Sequence, residues 1–183
     1  MVRLLNGIFG LAVVALFVGV TPQKPERIWS ADAAELRRIA DLEARFENDR
    51  SDPDLAAELA DEYLHEQDPE LAVAALRSLD AEAQRDPVVQ HRLALGYADL
   101  GQISDAVASA RLASSRCMRE IEDAYAPGLG RCDETTLTRI EMNREALERM
   151  HRWGIVDPYQ DPARTRLAYS LSYRVARLAV SQQ

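Results

Sequence analysis

Residues 52–85, DPDLAAELADEYLHEQDPELAVAALRSLDAEAQR, and residues 86–119, DPVVQHRLALGYADLGQISDAVASARLASSRCMR, are one pattern written twice. Asp52-Pro53 recurs as Asp86-Pro87, Leu59-Ala60 as Leu93-Ala94, Tyr63 as Tyr97, and Ala72 as Ala106, each displaced by 34 residues. Such agreement at one offset marks an internal repeat. In each copy the Asp-Pro pair starts a helix. The carboxylate caps free backbone N–H groups, and proline suits the first helical position, where its missing donor had no partner anyway. A helix of about 14 residues then follows in each copy. Ala60 and Ala94 on the first helix, with Ala72 and Ala106 on the second, let two axes approach closely, and Tyr63 and Tyr97 fill the wedge between them. Gly101 supplies the positive φ that helix ends often need. The first copy has Gln67 there and is expected to turn through Asp68-Pro69 instead.

With its 34-residue period and turn glycine Gly101, the segment resembles two tetratricopeptide repeats, at about 53–86 and 87–120. The family's early tryptophan position holds Ala56 and Gln90, and its second small position is kept as Ala60 and Ala94. The resemblance implies an all-α fold of antiparallel helical hairpins stacked as a short superhelix with capping helices. It also implies a binding scaffold whose first helices line a concave groove for an extended peptide or a partner helix. The corresponding positions are Asp54, Ala57, Glu58, Asp61 and His65 in the first repeat, and Val88, His91, Arg92, Leu95 and Asp99 in the second. The family's carboxylate-binding groove relies on lysine, arginine and asparagine at such places. Acids stand here in the first repeat, which disfavours a C-terminal carboxylate and favours a basic or mixed protein segment.

Composition agrees with an all-α chain: alanine, leucine, arginine and glutamate dominate, β-branched runs are few, and the chain of 183 residues has only 8 glycines. The formal charge of -8 is unevenly placed. Residues 32–86 carry 17 acids and 6 bases, whereas residues 87–183 carry 12 acids and 13 bases. An acidic surface disfavours nucleic acid, whose phosphates need cationic neutralisation, and suits a basic partner or plain solubility.

Leu4 to Val20 is apolar apart from Asn6 and some glycines, follows Arg3 and ends at Pro22. Its length lies between a short membrane span and a long signal-peptide core, so residues 1–22 read as a signal anchor or a signal peptide. No good cleavage site follows the core, which tilts the reading towards an anchor. Either way the segment directs the rest across a membrane. The helical domain is then expected in the periplasm or outside the cell, anchored or, after cleavage, soluble.

Cys117 and Cys132 are the two cysteines. Between them Ala126-Pro127-Gly128-Leu129-Gly130-Arg131 breaks the helix and can turn the chain back on itself, which permits a disulfide. That bond would stabilise by roughly 3 kcal/mol in the chain-entropy model and would persist in an oxidising compartment. The alternative is two unrelated thiols. His65, His91 and His151 have no ligand spacing with these cysteines, so no metal site is expected. No phosphate loop, H-E-x-x-H or G-x-S-x-G occurs, and neither enzymatic activity nor a cofactor is expected.

Residues 23–30 form a linker with Pro25 and Trp29, and residues 31–183 the helical domain. Ala31 to Asn48 reads as an amphipathic helix with Leu36, Ile39, Ala40 and Phe46 on one side, covering the open face of the first repeat. The second helix of the second repeat is expected to run past Cys117 to Pro127. Further helices are expected at about 133–153, with Leu137, Ile140, Leu147 and Met150 in one stripe and Gly154 as its stop, and at about 162–180, with Leu167, Leu171, Val175 and Leu178. The expected function is a non-enzymatic protein-protein interaction scaffold. The alternative is a structural subunit of a cell-envelope or membrane complex, assembled through its N-terminal segment and last helix.

Overall fold

The structure, a computed structural model, describes residues 33–123 and 132–180, with side chains through residue 174. The expectations for Leu4–Val20, the linker with Trp29, and the turn from Ala126 to Arg131 lie outside these residues. Among the described residues the chain is all-α, with seven α-helices and no strand. They are α1 (Ala33–Asn48), α2 (Pro53–His65), α3 (Pro69–Arg77), α4 (Pro87–Asp99), α5 (Ile103–Asp123), α6 (Glu134–Arg152) and α7 (Pro162–Val180), with one 3-10 turn at Ala83–Arg85. Each helix packs on the next in chain order, and α2 also lies against α4. Hairpins α2–α3, α4–α5 and α6–α7 therefore stack, with α1 laid against the first.

The repeated residues act at the same places in both copies. Asp52 accepts hydrogen bonds from Asp54 N and Leu55 N at 2.8 and 3.2 Å. Asp86 does the same for Val88 N and Val89 N at 2.8 and 3.1 Å. Pro53 and Pro87 follow as the first helical residues. Ala60, Ala94, Ala72 and Ala106 are all fully buried, as helices in close approach require. Tyr63 is buried as well, and its hydroxyl donates to Glu43 Oε1 at 2.5 Å, which ties α1 to the first hairpin.

The first turn differs from its expectation. Gln67 has φ 59, in the left-handed region beside Gly101 at φ 73, so the two hairpins turn alike. Asp68 N donates to Tyr63 O, and Gln102 N to Tyr97 O, both at 2.8 Å. The paired bonds at the helix end outweigh the steric cost of a side chain at positive φ. Gly154 repeats the device at the end of α6, with φ 69 and Ile155 N donating to Met150 O at 3.0 Å.

Two apolar stripes also differ from expectation. On α1 the buried residues are Leu42 and Phe46, with Ile39 half-buried, while Leu36 is 51% exposed and Ala40 is exposed. On α7 the buried residues are Ala168 and Ser172, while Leu167 is 49% exposed and Leu171 is half-buried. The side chains of Val175 and Leu178 lie outside the described residues. On α7 the buried face is thus displaced by one residue, from Leu167 and Leu171 to Ala168 and Ser172, whereas α1 keeps Ile39 and Phe46 of its expected stripe with Leu42 between them. On α6, Ile140, Leu147 and Met150 are fully buried as expected, with Leu137 at the margin. Asp157-Pro158 opens only a turn, and α7 begins at Pro162.

The core runs through the stack. One cluster joins Leu42 and Phe46 of α1 to Leu55, Leu59, Leu76 and Leu93. A second joins Ala94 and Ala98 of α4 to Val107, Leu147, Met150 and Ala168. A third surrounds Cys117 with Ala113 and Ile140, and Cys132 packs against it. The two sulfurs are 2.10 Å apart with Cα atoms 5.3 Å apart, a disulfide pairing of α5 with the start of α6.

Candidate functional site

The ten positions expected to line a groove lie on α2 and α4, and the structure sorts them by access. Asp54, Glu58, Asp61 and His65 are exposed on α2, while Val88, Arg92, Leu95 and Asp99 are half-buried on α4. Ala57 and His91 are buried, so they pack the helices and offer no open surface.

Charge on this face is largely consumed within the chain. Arg92 Nε and Nη2 donate to Asp61 Oδ1 and Oδ2 at 2.6 and 2.7 Å, a bidentate pair that joins the two first helices. Arg38 of α1 lies 2.9 Å from Glu62 and 3.7 Å from Glu58. His65 Nε2 is 3.5 Å from Glu35, and with Glu66 these three bring one ligand atom each within 4.8 Å of one another. The His65 side chain is 75% exposed, so this set is open to water.

His91 stands out by its burial. Loss of solvent lowers its pKa to about 4, and the positive charges of Arg92 and Arg139 push in the same direction. The imidazole is therefore neutral at neutral pH, and its Nδ1 is buried without a hydrogen-bond partner.

At the far end of α4 a second group gathers from three elements. The Tyr159 hydroxyl, in the turn between α6 and α7, donates to Asp99 Oδ1 at 3.2 Å. The Tyr169 hydroxyl on α7 donates to Asn143 Oδ1 on α6 at 3.2 Å. Asn143 is buried, and its Nδ2 has no hydrogen-bond partner. Burial raises the Asp99 carboxyl above its usual range, against the lowering effect of the Tyr159 hydrogen bond. Burial also pushes the Tyr169 phenol up to about 12, with the nearby Asp99 and Tyr159 adding to the shift. Asn143, Tyr159 and Tyr169 were not foreseen as site residues. Sequence spacing carries no signal that joins them to Asp99, because only the packing of α4, α6 and α7 brings them together.

A separate open cleft of about 580 Å³ lies between the first and second hairpins. Ser51, Asp80, Glu82, Asp86, Glu120, Arg85 and Arg116 are among its lining residues, a polar set that mixes both signs of charge. Comparison of the chain with protein-family models, curated proteins and solved structures finds no match.

Proposed function

We propose that the protein is a non-enzymatic protein-protein interaction scaffold of the tetratricopeptide-repeat type. It receives an extended segment or helix of a protein partner along the face where α2 and α4 lie side by side. The observation that carries this reading is the equivalence of the two hairpins. Their first helices start at Pro53 and Pro87 and end at His65 and Asp99, and their second helices start at Pro69 and Ile103, each one period apart. Stacked equivalent hairpins present their first helices as a continuous surface, the usual binding face of solenoid folds. Export is part of the proposal. The Cys117–Cys132 pairing suits an oxidising compartment, and Leu4–Val20 is the segment that would direct the chain there. Among the described residues no helix is long and apolar enough to cross a membrane.

Photo-crosslinking residues placed one at a time at Glu58 and Leu95, at Leu167 and Tyr173 on α7, and at Met118 on α5 as the control, test this reading in the native source. One discrete adduct from both groove positions and none from Met118 is the expected result. Adducts confined to Leu167 or Tyr173 would move assembly to α7 and overturn the groove reading.

A further inference from the structure

Along α4 the side chains of Arg92, Leu95 and Asp99 recur at spacings of three and four, which places them in one line on one helix face. The line begins at an ion pair and ends at a carboxylate of a different kind. Asp61 is answered by Arg92, and Glu58 and Glu62 by Arg38. Asp99 has no cation against it among the described residues, and its polar contact is the Tyr159 hydroxyl. It is also the last residue of α4, where the helix dipole presents its negative end. A half-buried carboxylate in that position is poorly stabilised by its own protein.

Its surroundings suit one kind of visitor. Tyr159 is 67% exposed and Tyr169 is 40% exposed, so aromatic surface stands open beside the unpaired charge. Tyrosine faces attract cations, and the attraction adds to that of a neighbouring carboxylate. Tyr169 is held in place by the hydrogen bond that its hydroxyl donates to Asn143 Oδ1. We propose that Asp99, Tyr159 and Tyr169 form a receiving site for a cationic side chain, an arginine or lysine in the extended segment of a protein partner. The proposal rests on the scaffold reading and specifies where that segment is anchored. The segment runs from the Asp61–Arg92 pair, over Leu95, to Asp99.

The test uses the full chain and short synthetic peptides that carry one arginine, or one citrulline in its place, with spermidine as a free-amine control. Binding is followed by calorimetry and by the amide resonances of Leu100 and Gly101. The arginine peptide should bind and shift those resonances, whereas the citrulline peptide should do neither. Asp99→Asn keeps an acceptor for Tyr159 and removes only the charge. It should weaken the arginine peptide at least about tenfold, Asp99→Glu should recover part of the loss, and Tyr169→Ala should also weaken binding. An unchanged affinity in a folded Asp99→Asn variant would overturn the site, as would equal binding of the citrulline peptide. Spermidine binding as tightly as the arginine peptide would overturn the assignment to a protein segment. Groove crosslinks that persist unchanged in Asp99→Asn would leave the scaffold standing without this site. An Asp99-dependent peptide without groove crosslinks would do the reverse.

Discussion

Arg92 on α4 grips Asp61 on α2 through two parallel hydrogen bonds, 2.6 and 2.7 Å long, across 31 residues of chain. The pair binds the first helices of two hairpins to each other and removes two charges from the surface that a partner would meet. Asp61 is 45% exposed and Arg92 only 18%, so removing the acid leaves a mostly covered guanidinium without its carboxylate. Asp61→Asn is expected to destabilise by about 1 kcal/mol in urea unfolding. Combined with Arg92→Gln, it should cost less than the sum of the single changes, with a coupling of about 0.5–1 kcal/mol. Strictly additive effects would show that the pair contributes nothing.

Gln67 and Gly101 hold the same turn, yet one has a side chain to accommodate. With φ 59 at Gln67, a change to glycine removes the left-handed penalty and should stabilise by about 1 kcal/mol. Gly101→Ala should do the opposite and by more, because its φ is 73 and an added Cβ would sit 3.3 Å from the Val156 carbonyl oxygen. Denaturant midpoints of the two variants should therefore move in opposite directions.

Ala106 is fully buried on α5, while Ala108 two residues on is exposed. Ala106→Leu should overpack the helix contact and cost about 1–3 kcal/mol, with Ala108→Leu close to neutral. Equal thermal shifts at the two sites would contradict the packing register of the second hairpin.

His91 makes stability depend on pH in a definite direction. Its folded pKa of about 4 lies below the usual value of 6.5, so the unfolded chain binds the proton more readily between those values. The contribution is complete above pH 6.5 and is lost as pH falls towards 4. On the scale of about 1.4 kcal/mol per unit it amounts to at most about 3 kcal/mol. His91→Gln should flatten that part of the stability-pH profile relative to the parent protein. A profile that keeps its slope would assign the acid sensitivity to other groups.

Cys117 and Cys132 link the long helix α5 to the start of α6 beside Ile140. Reduction should lower the melting temperature, since closing a loop of this length stabilises by roughly 3 kcal/mol in the chain-entropy model. Alkylation of the denatured, non-reduced protein should modify neither cysteine. Two modified thiols would remove both the bond and its argument for an oxidising compartment.

Helix beginnings and ends were legible in the sequence because their causes are local. Asp52, Asp86 and Asp133 each cap amides two or three residues ahead, and the prolines and Gly101 act on their own backbone. The 34-residue repeat likewise needs nothing but the chain to be seen, and it carried the hairpin architecture with it. The turn at Gln67 was hidden because the demand for positive φ comes from the hairpin and not from the residue. The covered faces of the terminal helices were hidden in part: Leu36 and Leu167 have the right character for burial, but Leu42, Ala168 and Ser172 are the residues that the neighbouring helices cover. Asp99 was named from its place on α4, whereas Tyr159, Tyr169 and Asn143 became its neighbours only through packing. Local chemistry thus determined which segments are helical and where they stop. Contacts between residues far apart in the chain decided which faces were buried and which charges were answered, because those depend on the pairing of surfaces and not on the order of residues.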